Sequence, residues 1–211
     1  MTTPKTKLVS LALIAALCAG FTLGLTAPAW AGLDEGTAAL QRGDYATALR
    51  EWRPLAKQGY AIAQNDLGVM FSKSVDDLIL DGQQDDATVV KQYRKAAEQG
   101  HADALNNLGV MYGEGQGVTQ NYVEAVKWYR KAAEQGHALA QYNLGLMYDN
   151  GQGVPQDYAK AHMWYNLAAS KLRPGGGRDT AVENRDNVAK RMTPAQISEA
   201  QKLAREWKPK K

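Results

Sequence analysis

The stretch Asn121–Gln156 reads NYVEAVKWYRKAAEQGHALAQYNLGLMYDNGQGVPQ, and it has relatives 36 residues away on both sides. Upstream, Lys95-Ala96-Ala97-Glu98-Gln99-Gly100-His101 matches Lys131-Ala132-Ala133-Glu134-Gln135-Gly136-His137 without a change. Asn107-Leu108-Gly109-Val110-Met111-Tyr112 likewise becomes Asn143-Leu144-Gly145-Leu146-Met147-Tyr148. Downstream, Tyr122, Ala125, Trp128, Tyr129, Ala132 and Ala133 become Tyr158, Ala161, Trp164, Tyr165, Ala168 and Ala169. Self-similarity at a fixed period of this length marks an array of stacked supersecondary units.

Each unit reads as two helices. In the first, Tyr122, Ala125, Tyr129, Ala132 and Ala133 share one face at helical spacing. Lys127 and Lys131 point nearly opposite that face, and Trp128 and Arg130 flank it. Gly136 stands where a left-handed residue ends a helix. In the second helix Ala140, Leu144, Met147 and Tyr148 face inward, and Gly145 invites a neighbouring helix backbone to approach. The segment Asp149–Pro155 breaks the pattern, and Asp44, Asn121 and Asp157 are the expected N-caps, since a short acceptor satisfies the first free amides.

The strings A-E-Q-G-H-A, N-L-G-x-M-Y, G-x-G-V-x-Q-[DN]-Y and A-x-x-W-Y-x-x-A-A resemble the Sel-one-like repeat (SLR), a relative of the tetratricopeptide repeat. The resemblance runs from about Asp44 to Lys171. It implies an all-α fold, a right-handed α-solenoid of stacked antiparallel helix pairs, acting as an adaptor or scaffold for protein partners. The periodicity by itself gives only the stacked pairs.

Around the array, residues 1–31 carry Lys5 and Lys7, an apolar run Leu8–Leu25 and a small-x-small ending at Ala31. This is the pattern of a cleaved secretory signal peptide, placing the mature chain in a bacterial periplasm or outside the cell. An uncleaved anchor is the competing reading, because Leu8–Leu25 just reaches spanning length. Modification of Cys18 by lipid is disfavoured by Leu17 before it. Cleavage removes the only cysteine and two of the 25 basic residues, leaving 23 against 22 acidic ones. A near-neutral mature chain argues against nucleic acid as a partner. Residues 32–43 are expected to form a capping helix and 44–171 the solenoid, with units of about 59–99, 100–135 and 136–171. Capping helices are expected over 172–207 and a disordered tail over 208–211. The period is broken once, by a surplus of five residues within Ser72–Asp86, whose aspartates match no calcium-loop spacing and read as a solvated acidic loop.

Chemistry has little to stand on. His101 and His137 occupy equivalent positions, about 9–10 Å apart in stacked units, too far to share a zinc ion. They read as turn caps, and no metal or cofactor is expected. The glycine-rich loops lack the strand and lysine of a phosphate cradle. Sel-one-like proteins discussed as penicillin-binding carry paired cysteines; this mature chain has none, and no Ser-x-x-Lys with its partner motifs. An enzyme is therefore not expected, although a cell-wall enzyme or β-lactam-binding protein and a structural envelope subunit remain the rival classes. The surface offers two repeated columns. Arg53, Arg94 and Arg130 form one, ended by Asn166, and Asp66, Asn107 and Asn143 form the other. Arg53, Arg94, Arg130, Asn107 and Asn143 are the expected protein-binding residues, the forks suiting carboxylates and the amides a peptide backbone. The competing reading has each Asn bridging helices within its repeat and each Arg pairing with a nearby acid. Trp128 and Trp164 are read as packing between repeats, and Trp207 as the cover of the open end.

Overall fold

Three of the helices start where a short acceptor meets the third amide ahead. Asp44 accepts from the Thr47 N–H at 3.0 Å, Asn121 from Glu124 at 3.1 Å and Asp157 from Lys160 at 2.9 Å. All three are the caps expected from the sequence. The computed structural model describes residues 29–72 and 86–210, and these hold ten helices and no strand. The first twenty-eight residues of the expected signal peptide, and the insertion from 73 to 85, lie outside the described residues.

Three complete helix pairs follow from the repeat: α2 (Tyr45–Lys57) with α3 (Ala61–Ser72), α4 (Asp86–Glu98) with α5 (Ala102–Glu114), and α6 (Tyr122–Glu134) with α7 (Ala138–Asn150). Gly59, Gly100 and Gly136 turn the chain between partners at φ of 99°, 84° and 92°, a conformation that glycine adopts without a Cβ penalty. After each such glycine the next N–H returns to the first helix, as His137 does to Ala132 O at 3.1 Å. The ring of that same histidine then caps the second helix. His101 Nδ1 accepts from Ala104 and His137 Nδ1 from Ala140, the capping role expected of them.

Before the first pair stands α1 (Ala29–Gln41), and after the last come α8 (Tyr158–Lys171), α9 (Gly176–Ala189) and α10 (Pro194–Glu206). Consecutive helices pack against one another from α1 through α9, and α8 also carries α10. The expected cleavage after Ala31 falls inside α1. The break after α8 is shorter than the run of glycines suggests: Gly175 alone turns, at φ 127°, and Gly176 and Gly177 already belong to α9. A capping box forms at the start of α10, with Thr193 and Gln196 each receiving the other's N–H.

What joins one repeat to the next is an aromatic ring set on a glycine. A Cβ built on Gly68 would lie 2.6 Å from Tyr93 Cε1, one on Gly109 2.6 Å from Tyr129, and one on Gly145 2.7 Å from Tyr165. The sequence suggested a helix backbone in that space. The occupant is the tyrosine of the next first helix. Gly36 of α1 meets the Trp52 indole in the same way. In α1, α3, α5 and α7 this glycine is the eighth residue, so α1 has the register of a second helix. Burial is complete enough to push the Tyr129 and Tyr165 phenols well above their usual range.

The far end is closed by aromatics. Trp164 is buried, and Trp207 meets it edge-on with ring centroids 6.2 Å apart, as expected of a residue covering the end. Lys171 Nζ lies 4.7 Å from the Trp207 ring and donates to Gly136 O. In the segment expected to be disordered, the Lys210 N–H donates to Glu134 O at 2.7 Å and its ammonium pairs with the Glu134 carboxylate at 3.0 Å. Within α8, His162 is buried and its Nδ1 has no hydrogen-bond partner. Desolvation, reinforced by the Arg185 cation, lowers its pKa.

Two outcomes are expected. Gly109→Ala forces a Cβ into the Tyr129 ring and costs about 2 kcal/mol, in the range of core overpacking. Gly113→Ala on the same helix finds its nearest neighbour at 3.6 Å, so it is neutral or stabilising by up to about 0.5–1 kcal/mol. Urea denaturation of both variants checks the pair; equal stabilities would rule out the ring lock. For His162 the folded state disfavours the proton, so its stabilisation is whole above the unfolded pKa, near 6.5, and is lost as pH falls below it. The melting temperature of His162→Gln should therefore drop less between pH ~7.5 and ~5.5 than that of the parent, the other histidines being common to both.

Candidate functional site

The arginine column is made by the first helices. Arg53, Arg94 and Arg130 are all exposed. Arg94 Nη2 donates to the Tyr112 hydroxyl at 2.7 Å, and Arg130 Nη2 to the Tyr148 hydroxyl at 3.1 Å. Each tyrosine lies 18 residues on, in the second helix of the same pair. Phe71 stands in that place for Arg53, so no phenol oxygen is there to receive it. The acceptors are neutral hydroxyls and not the acids that the competing reading supplied. Each fork is thus held in place while its positive charge stays uncompensated. An arginine has five N–H donors, so most remain for a ligand.

The asparagine column behaves differently. Asn143 Nδ2 donates to Asn106 Oδ1 at 3.1 Å, and Asn106 donates to Asn107 at 3.4 Å. Asn107 in turn donates to Asn65 at 3.4 Å, and Asn65 donates to the Asp66 carboxylate at 3.3 Å. The amides form one ladder across α7, α5 and α3, with every donor running toward the single acid. Hydrogen bonds in such a chain polarise one another. The bridges cross between repeats, where the competing reading had placed them within one. Asn107 and Asn143 are half-buried and keep only part of their capacity for a partner. Among the described residues no hydrogen bond joins this column to the arginines.

Asn166 ends the arginine column by accepting from Arg185 Nη1 at 3.3 Å. Of the tryptophans, Trp164 is core, while Trp128 is half-buried with the Lys131 ammonium 4.6 Å from its ring centroid. A bond across the stack that went unforeseen links His137 Nε2 to Asp103 at 2.8 Å. Because His137 Nδ1 accepts the capping N–H, the neutral ring carries its proton on Nε2, which donates to the carboxylate. Further inter-repeat bonds run from Gln135 Nε2 to Gly100 O at 3.0 Å and from Gln99 Nε2 to Gln64 at 2.9 Å.

The residues missed by sequence reasoning were Tyr112 and Tyr148 as anchors, and Asn65 and Asn106 as rungs. The constant offset of 18 between Arg and Tyr, and the doublets Asn65-Asp66 and Asn106-Asn107, were the signals available. Among the described residues no three His, Cys, Asp or Glu side chains come together as metal ligands would, and no helix is long and apolar enough to cross a membrane.

Burial raises the pKa of Asp66, against the opposing hydrogen bond from Asn65. The folded state therefore disfavours its ionised form, and the two later repeats have Asn there. Asp66→Asn should stabilise the protein at neutral pH by less than about 1 kcal/mol, since the site keeps some solvent. The gain should shrink as pH falls through the carboxylate range. Denaturant titration of parent and variant at neutral and acidic pH checks this, and a destabilised variant would contradict it.

Comparison with known proteins agrees with the repeat architecture. The Sel1 repeat model matches residues 93–101, 102–137 and 138–171. A solved Sel1 repeat protein from Oxalobacter formigenes is 32% identical over 80% of this chain and 72% of its own, with a TM-score of 0.59. A protective antigen of uropathogenic Escherichia coli that displays an SLR fold is 26% identical over 85% of this chain, with a TM-score of 0.58. This chain spans 45% of the length of that antigen. No curated protein matched the sequence. Proteins of this kind generally mediate protein–protein interaction and are generally non-catalytic scaffolds. With its helix pairs, its 36-residue period and a relative this similar over most of both chains, the protein belongs to the Sel1 repeat family.

Proposed function

We propose that this protein is an exported, non-catalytic adaptor of the bacterial cell envelope that binds a protein or peptide along its repeated surface columns. Arg53, Arg94 and Arg130 make the main contacts, and Asn107 and Asn143 add what the ladder leaves them. The observation that carries the reading is the pair of forks, Arg94 and Arg130, each exposed and fixed by a neutral hydroxyl. A side chain that is already ordered loses less entropy when a partner docks. A surface that only needed solubility would gain nothing from fixing its cations. Export rests on the sequence of residues 1–31, with the periplasm or the exterior as the destination.

Affinity capture from an envelope extract tests the reading, with residues 32–211 as bait. A second bait carries Arg53→Gln, Arg94→Gln and Arg130→Gln, substitutions on exposed positions that should leave the melting curve unchanged. The expected result is a partner held by the first bait and lost by the second. Equal capture by both would place the binding surface elsewhere.

A further inference from the structure

The segment after α10 shows a cleft of the stack in use. Trp207, Pro209 and Lys210 lie at the turn between α6 and α7. Trp207 sits edge-on to Trp164, and a Cβ built on Gly136 would meet Trp207 at 3.6 Å and Pro209 at 3.7 Å. The Lys210 N–H takes the carbonyl of Glu134, the last residue of α6, and the Lys210 ammonium takes its carboxylate. Lys171 Nζ donates to Gly136 O at 3.1 Å beside them.

The same cleft recurs one repeat upstream, where Lys95–His101 is identical to Lys131–His137. Between the α4–α5 turn and α6 it measures about 510 Å³ and is lined by Glu98, Gly100, Lys131, Glu134, Gln135 and Lys210. Gln135 Nε2 donates to Gly100 O at 3.0 Å, as Lys171 does to Gly136 O. The groups that would hold an occupant are free here. Among the described residues, no atom beyond its chain neighbours comes within 4 Å of a Cβ built on Gly100, and none donates to Glu98 O. The Glu98 carboxylate is exposed and has no cation at ion-pair distance, where Glu134 has Lys210.

These groups select the occupant's chemistry. The last carbonyls of a helix are unpaired and carry partial negative charge, so the end of α4 suits a cation and an N–H donor. Trp128, the counterpart of Trp164, stays half-buried where Trp164 is covered. One wall differs, since Lys131 stands in place of Leu167 and lies 4.6 Å from the Trp128 ring centroid. A second aromatic ring fits beside that ammonium, as Trp207 fits beside Lys171 at 4.7 Å. In the first unit Lys57 replaces the glutamate, so the carboxylate is missing there.

We propose that the cleft between the α4–α5 turn and α6 binds an extended basic segment of a partner protein, one with an aromatic ring followed by proline and lysine. Its lysine pairs with Glu98, its N–H meets Glu98 O, and its ring packs beside Trp128 and Lys131. The adaptor thereby has a second surface, with a charge preference opposite to that of the arginine column.

The test is fluorescence anisotropy with the purified protein and a labelled synthetic Glu-Trp-Lys-Pro-Lys-Lys peptide, the sequence of residues 206–211. A control peptide of equal charge has alanine for the tryptophan and the proline. The first peptide should bind saturably, at least several-fold more tightly than the control, and its affinity should fall with added salt. Glu98→Gln should weaken it about three- to fivefold, the share of one exposed ion pair. Glu199→Gln on α10, an equal loss of charge, should leave it unchanged, and Arg94→Gln with Arg130→Gln should not weaken it. No saturable binding, or equal affinity for the two peptides, would overturn the proposal. Full binding by Glu98→Gln would do so too, because the peptide would then be displacing the chain's own segment from Glu134 or binding elsewhere. Self-association in analytical ultracentrifugation that disappears in Glu98→Gln would make the occupant a second copy and would equally overturn it.

Discussion

The contact on which this fold depends is a buried aromatic ring lying against a glycine. Among the described residues it occurs four times, Trp52 on Gly36, Tyr93 on Gly68, Tyr129 on Gly109 and Tyr165 on Gly145, and each time it joins a second helix to the first helix of the next unit. A solenoid has no central core, so its stability is a sum of unit terms and interface terms between neighbours. The ring supplies much of each interface, since an aromatic side chain buries more apolar area than any other. Missing side-chain atoms on the glycine are what let it lie flat enough to do so. Hydrogen bonds then fix how far one unit is turned relative to the next. Gln135 reaches Gly100 O, His137 reaches Asp103, and the amide ladder runs through α7, α5 and α3.

Much of this was readable in the chain itself. A 36-residue repeat with helical periodicity leaves few architectures, and the caps at Asp44, Asn121 and Asp157 follow from local chemistry that any helix start obeys. The histidines after Gly100 and Gly136 were readable for the same reason. What the sequence did not disclose is pairing at a distance. Gly145 was recognisable as a place of close approach, but nothing local says whether a backbone or a ring arrives. Gly36 shows the limit well. Its neighbours in α1 lack the Asn-Leu-Gly signature, so only its packing against Trp52 reveals that α1 has the register of a second helix.

The columns illustrate the same divide. Arg94, Arg130, Asn107 and Asn143 were found by their period, and each is where a repeated surface position should be. Their partners were not found, because a hydrogen bond between helices depends on which side chains face each other after stacking. Arginine went to a phenol where the competing reading had an acid, since Tyr112 and Tyr148 lie level with it on the adjoining helix. Asparagine bridged to the previous repeat because Asn65 and Asn106 offer a second amide beside the first. The two columns thus divide their work: the amides spend most of their hydrogen-bonding capacity on spacing the repeats, and the arginines keep most of theirs.

That division bears on how such a surface can recognise anything. A flexible array of cations attracts any polyanion and fixes no spacing, because each side chain adjusts to the ligand. Here the forks are tied to tyrosines, the tyrosines belong to second helices, and the second helices are tied to one another by the ladder. The distance between successive guanidinium groups is therefore set by the stack and not by the ligand. A ligand that meets both forks pays less for ordering them. Neutral anchors are essential to this. Had the forks been held by carboxylates, the same rigidity would have come with the charge already neutralised, and the column would have lost its attraction for a partner's carboxylates.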